Sequence, residues 1–333
     1  MLATETRVAA VPDHQEQHEE QHQGTPPDAE TALASLQKHG KSFAWAAQFL
    51  GREHAEAGAR LYAICRAIDD MADDNPPARA RELLTALRNA LNGLPTSEPL
   101  AQNTAAHIHT LAQMIPLNQT ALLHLIDGVE QDLEPVRLAD EPALIRYAYR
   151  VAGTVGLMMC NVLGVTDHTA HRHAIDLGIA MQLTNIARDV LEDAQQDRRY
   201  LPGHWVALDP GDIATPNPAQ QAQTEEAIAR LLVLAETYYA SGQAGLVYLP
   251  ARARVAIAIA ARVYRAIGRS LAARGCDYQR GRVVIPTWRK ALISLGVVLS
   301  PRLYRRKAPT HDPALHASLG GITQLAGPHH GQD

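Results

Sequence analysis

Cysteine and phenylalanine are scarce in this chain, with three of the first and two of the second among 333 residues. Cys65, Cys160 and Cys276 are too few and too scattered for a disulfide framework or a zinc knuckle, and Cys65 and Cys160 read as small core residues. Long apolar runs are missing as well: no stretch reaches the roughly 18 uncharged apolar residues of a membrane-spanning helix. The N-terminus lacks the basic-then-apolar order of a secretory signal, so a reducing cytoplasm is the expected location. Alternating Val, Ile and Thr segments are nearly absent, which argues against a sheet-built fold. There is no Gly-x-x-x-x-Gly-Lys loop, so a nucleotide held by a P-loop is not expected, and the lack of a glycine-rich dinucleotide loop leans toward a reaction without a nucleotide cofactor. A formal net charge of −4 argues against broad nucleic-acid binding.

What is present is helical. Ala and Leu dominate from about residue 31 onward, and apolar periodicity places helices over 31–50, 53–72, 78–92, 99–114, 118–133, 141–163, 167–195, 220–240 and 251–274. Residues 1–30 are rich in Gln, Glu, His and Pro without apolar period, and are expected to be disordered. The four-residue spacing of His14, His18 and His22 there reads as part of a polar tail rather than a metal site. No linker divides the helices, so a single all-α domain is expected over 31–300, followed by a flexible tail over 301–333. The stretch Pro202–Thr224, rich in Pro and Gly, reads as a long loop of the lid or binding kind. Between Arg280 and Lys307 there are eight Lys or Arg residues and no acid, flanking the apolar run Ala291–Leu299. That region is either a solvated basic edge of the core or a contact for an anionic bilayer surface.

Two aspartate-rich segments carry the chemistry. The first is Tyr62-Ala-Ile-Cys-Arg66-Ala-Ile-Asp69-Asp70-Met-Ala-Asp73; on a helix Arg66, Asp69, Asp70 and Asp73 share about a third of the circumference. The second is Gln182-Leu-Thr-Asn185-Ile-Ala-Arg188-Asp189-Val-Leu-Glu-Asp193, where Gln182, Asn185, Asp189 and Asp193 form one narrow stripe on a largely apolar helix. Two carboxylates ~5 Å apart repel by roughly 3 kcal/mol at an effective dielectric near 20, so such faces need cations. Mg2+ suits them, with Mn2+ as the alternative: it takes one or two carboxylates and completes its shell with water and phosphate oxygens. Zinc would ask for Cys or His, a calcium loop for a central Gly, and a di-iron bundle for Glu-x-x-His pairs on its helices. Arg66, Arg188 and the Arg198-Arg199-Tyr200 run add cations for an anion such as diphosphate. Diphosphate departure beside a dry apolar chamber is the setting a carbocation requires.

These two segments resemble the paired signatures of the squalene and phytoene synthases. Tyr147-Ala-Tyr149-Arg-Val-Ala-Gly153-Thr-Val-Gly156, Arg198-Arg-Tyr200-Leu-Pro202 and Tyr239…Gly245-Leu-Val-Tyr-Leu-Pro250 extend the resemblance over about Lys41 to Lys290. Val151–Val165 is most similar to the bacterial phytoene synthases. The resemblance implies an isoprenoid-synthase helical bundle around a central cavity. It also implies head-to-head condensation of two geranylgeranyl diphosphates to phytoene, through a cyclopropyl (prephytoene) diphosphate, as the first step of carotenoid biosynthesis. By position, Asp69, Asp70, Asp73, Asp189 and Asp193, with Asn185, would bind the metal–diphosphate clusters. Arg66, Arg188, Arg198 and Tyr200 would hold diphosphate oxygens. Phe43, Tyr62, Val155, Gly156, Gly178, Gln182 and Asn185 would line the channel, with His39, Lys41, Tyr147, Tyr264 and Arg282 near the site. The partners implied are prenyl diphosphates and, because such tails are greasy, the surface of the inner membrane. Two alternatives stand beside this reading: a dehydrosqualene or squalene synthase acting on farnesyl diphosphate, and a non-catalytic helical interaction protein whose acids are surface charge. The Arg188-Asp189-x-x-x-Asp193 pattern and the Arg198-x-Tyr200-Leu-Pro202 tail argue against head-to-tail prenyl transferases and terpene cyclases.

Overall fold

A computed structural model of the chain describes residues 29–304 and 310–322. The disorder expected of residues 1–30 therefore concerns positions almost wholly outside the described residues. The helices run Ala29–His39 (α1), Lys41–Ala47 (α2), Arg52–Asp73 (α3), Pro77–Leu91 (α4), Pro99–Met114 (α5), Gln119–Gln131 (α6), Glu141–Ala148 (α7), Thr154–Val162 (α8), His168–Gln195 (α9), Pro210–Ala214 (α10), Pro218–Ala244 (α11), Ala251–Ala273 (α12) and Thr287–Val298 (α13). Many begin on a local signal. Asn118, Asp140, Asp167 and Asn217 accept first-turn amides at α6, α7, α9 and α11, and Pro fills the first turn of α4, α5, α7, α10 and α11.

Helix α9 is the axis of the molecule. It packs against α8, α11 and α12, and its Ile175, Ile179, Ala180, Leu183, Ile186 and Ala187 are buried. Apolar residues around most of its circumference are what a central helix needs. Each fully buried Leu or Ile contributes roughly 1.5–3 kcal/mol. The stripe from Gln182 to Asp193 breaks that pattern, as do the buried His173, Asp176 and Thr184. Close approach on the α8 side depends on two glycines. A Cβ at Gly156 would run into the Ala174 carbonyl, and one at Gly178 into that of Ala152.

The structure departs from the sequence-level expectations in several places. The helix over 31–50 is broken at Gly40, which lies outside helical geometry at φ −105°, ψ 46°. The helix over 141–163 contains a π-turn at Tyr149–Gly153, where the Thr154 amide reaches back to the Tyr149 carbonyl. Pro202–Thr224 is not one long loop. It holds α10 and the start of α11, which begins on an Asn217–Gln220 capping box, and Ile213 is buried beneath the Tyr278 hydroxyl at 2.9 Å from its carbonyl. The apolar run at 291–299 belongs to α13, which starts behind Pro286. The expected flexible tail is, over 310–322, packed on the domain: Leu319 is fully buried, and Tyr238 donates to the Leu315 carbonyl at 2.8 Å.

Candidate active site

Helices α3 and α9 share the lining of an apolar chamber of about 370 Å³, to which α3 contributes Asp69 and α9 contributes Gln182 and Asn185 from their acidic stripes. Of the residues expected at the site, Phe43, Tyr62 and Asp69 line it from α2 and α3. Val155 and Gly156 line it from α8, and Gly178, Gln182 and Asn185 from α9. The π-turn adds Val151 and Ala152 to this wall, so the irregular backbone lies directly against the cavity. Asn185 Nδ2 donates to Gln182 Oε1 at 3.3 Å, which leaves the buried Asn185 Oδ1 without a partner.

Charge is concentrated at the rim. Arg66 pairs with Asp70 at 2.5 Å along α3, and Arg198 reaches Asp73 at 3.4 Å, linking the end of α9 to α3. Arg188 Nε donates to Asp189 Oδ1 at 2.7 Å, and Arg282 approaches the same carboxylate at 3.1 Å and Glu192 at 3.6 Å. Arg198 is placed by a short backbone device. Asp197 adopts a left-handed conformation (φ 58°) that ends α9 sharply, and Arg137 holds that turn through the Asp197 carbonyl at 2.6 Å. Residues 136–138 then pair in parallel with Arg199, whose amide donates to the Val136 carbonyl at 2.9 Å. Tyr264, its ring tilted 38° to that of Phe43 at 5.1 Å between centroids, is raised to about 12 by burial, with the Arg188 charge pulling the other way. Lys41 offers its carbonyl to Lys290 at 3.3 Å, and the side chain of His39 lies outside the described residues.

One acid in this cluster was not singled out from the sequence. Asp132 caps the C-terminal end of α6, accepts the Tyr147 hydroxyl at 2.8 Å, and lies beside Tyr200, whose ring is 4.8 Å from that of Tyr147. Burial raises Asp132 to about 6, against the pull of Tyr147 and Arg198. Its charge in turn bears on both Asp69 and Asp193, so it sits between the two acidic helices. A carboxylate at a helix C-terminus opposes the helix dipole, and that local conflict was the available signal.

The acids strain against one another. Burial, then the neighbouring Asp73, raises Asp69 to about 7, and burial, then Asp189, raises Asp193 to about 7. Carboxylates displaced this far, with orphaned oxygens on Asp132 and Asn185 beside them, are a donor set built from hard oxygen atoms. Such a set fits Mg2+ better than any softer ion.

The squalene/phytoene synthase family model matches residues 36–289. The chain belongs to that family. A 15-cis-phytoene synthase from a Paracoccus species is 37% identical over 266 residues, covering 76% of this chain and 85% of that protein. A phytoene synthase from Pseudescherichia vulneris is 37% identical over 269 residues, covering 75% and 84%. Among solved structures, a dehydrosqualene synthase in complex with ligand superposes with a TM-score of 0.70 at 26% identity, covering 81% of this chain and 95% of that one. The fold is thus the all-α isoprenoid-synthase bundle, and α3, α8 and α9 of this family member form the chamber just described.

Proposed function

We propose that this chain is a phytoene synthase, a prenyltransferase that joins two geranylgeranyl diphosphates head to head. The observation that carries this is the convergence of two acidic stripes and four arginines on the open end of one apolar chamber. Arg66, Arg188, Arg198 and Arg282 would take diphosphate oxygens, and the tails would extend into the chamber, where aliphatic walls exclude water. There the C–O bond of one allylic diphosphate breaks and the leaving group stays among the arginines. The double bond of the second substrate attacks the cation, a proton is lost, and a cyclopropyl diphosphate forms. That species ionises in turn, rearranges, and loses a proton to give phytoene. Asp69, Asp73, Asn185, Asp189 and Asp193 would hold Mg2+, whose charge, when bound, stabilises departing diphosphate. Asp70 remains engaged with Arg66. Tyr200 and Tyr147 hold Asp132 between the two stripes.

Incubating the purified chain with Mg2+ and either the C15 or the C20 diphosphate, with and without NADPH, tests this reading. A C40 hydrocarbon from the C20 substrate, independent of NADPH, is the expected product. Turnover of the C15 substrate alone would transfer the assignment to the dehydrosqualene or squalene branch.

We further propose that the enzyme works at a membrane surface. No described helix is long and apolar enough to cross a bilayer. Helix α13 instead packs one edge on the domain through Val297 and Ser294 and turns Trp288, Leu292, Leu295 and, just past its end, Leu299 outward, at 65%, 59%, 56% and 70% exposure. Arg289 and Lys290 lie on the same helix, and Lys290 reaches α2, which carries the chamber-lining Phe43. The side chain of Arg302 and residues 305–307 of the basic region lie outside the described residues. Flotation with anionic vesicles is expected to recover the chain, and replacing Trp288, Leu292 and Leu295 by Ser to leave it in the soluble fraction. Equal flotation of the two would remove α13 as the contact.

A further inference from the structure

Away from the acidic rim, Asp176 of α9 is fully buried and draws three side chains to its carboxylate. His311 Nε2 lies 2.8 Å from Oδ2, His316 Nε2 lies 2.8 Å from Oδ1, and the Ser241 hydroxyl of α11 donates to Oδ2. The two histidines come from the C-terminal segment, more than a hundred residues along the chain from Asp176. Behind them His173 Nδ1 bonds to Ser241 Oγ at 3.0 Å, its ring 5.2 Å from that of His311. His173 Nε2 and His311 Nδ1 are both buried without a partner. We propose that Asp176, His311 and His316 form a site for a divalent transition-metal ion, zinc by the chemistry of the set, which clamps residues 310–322 onto α9.

The donor types and the spacing both support it. The two imidazole nitrogens are borderline ligands, suited to Zn2+ and unsuited to Mg2+, and zinc also takes a carboxylate oxygen beside them. The ligand atoms all lie within 4.8 Å of one another. Zinc held at about 2.0–2.1 Å from each would need them roughly 3.3–3.4 Å apart, a matter of small side-chain rotations. A fully buried carboxylate is cut off from solvating water, and a divalent cation offsets its charge. Ser241, with His173 behind it, orients the carboxylate in the way outer partners of metal ligands do. His173 also lines the chamber, so the cluster lies directly behind its wall. The assignment is independent of the prenyltransferase reading.

The test uses the full chain, freed of metal by a chelator and titrated with Co2+ and Zn2+. One equivalent of Co2+ is expected to bind with the visible absorption of a low-coordinate nitrogen–oxygen site, and Zn2+ to displace it. Zn2+ should also slow amide exchange over 310–322. His311→Gln and His316→Gln should weaken binding by on the order of 100-fold or more while circular dichroism shows the bundle intact. His316 is the safer probe, since it lies at the edge of the cluster with its side chain 13% exposed. No uptake, or uptake unchanged in both variants, would overturn the site and leave a hydrogen-bonded latch. Uptake lost only on replacing His14, His18 and His22 would place the ion on the N-terminal segment and overturn it equally.

Discussion

At the scale of single residues, charge and hydrogen bonding can be separated because Asn preserves the shape of Asp. Asp69→Asn and Asp189→Asn are each expected to lower turnover by at least on the order of 10²–10³ while helix content by circular dichroism stays the same, since each removes a carboxylate that would hold the Mg2+ stabilising the departing diphosphate. Near-normal turnover in either variant would remove that residue from the reaction. Asp132 calls for a finer measurement, because it bonds to the Tyr147 hydroxyl and bears on Asp69 and Asp193 through its charge rather than lining the chamber. Asp132→Asn keeps an acceptor for the Tyr147 hydroxyl and removes the charge that bears on Asp69 and Asp193. The expected result is a normal melting temperature with the acidic limb of the pH–rate profile shifted downward, because Asp69 and Asp193 then ionise more easily. An unmoved profile would reduce Asp132 to a packing role.

At the scale of elements, the contact between α8 and α9 is set by glycine. Gly178→Ala must push its Cβ into the Ala152 carbonyl, so the helices have to part, at a cost of about 1–3 kcal/mol. Gly296→Ala in α13 meets nothing within 4 Å and should instead stabilise by about 0.4–1 kcal/mol. Urea midpoints moving in opposite directions would establish the contrast, and a neutral Gly178→Ala would show that the π-turn before α8 can yield. The helices themselves were legible in the sequence because apolar period and Ala–Leu composition are local, and so were both aspartate stripes. The π-turn at Tyr149–Gly153 was not, since a change in hydrogen-bond partner leaves the apolar pattern nearly untouched. The break at Gly40 was obscured because apolar residues continue on both sides of it. The Asn217-Pro218-Ala-Gln220 start of α11 was readable, but the surrounding prolines suggested a loop. The docking of residues 310–322 depends on side chains that meet Asp176 from far along the chain, and no local pattern announces that.

At the scale of the whole molecule, the crowded carboxylates make stability depend on pH and on cations together. Asp69 and Asp193 are raised to about 7 and Asp132 to about 6 from an ordinary value of 3.8. Between those limits the metal-free folded chain holds more protons than the unfolded chain, so the stability these groups contribute below about pH 4 is lost as pH rises through 6 to 7. Buried histidines work in the opposite direction. His173 and His311 are lowered by burial, so their contribution is lost as pH falls below the ordinary imidazole range. The two effects overlap near pH 6, and the informative quantity is a difference. Relative to Asp69→Asn/Asp193→Asn, the metal-free chain should lose several degrees of melting temperature between pH 5 and pH 7.5. Mg2+ with pyrophosphate should restore them at pH 7.5 and do little at pH 5, because there the cation must displace protons to bind. A gain from Mg2+ and pyrophosphate that is the same at both pH values, or present equally in the double variant, would mean that the two stripes do not share a cation site, and the diphosphate chemistry assigned to the rim would fail with it.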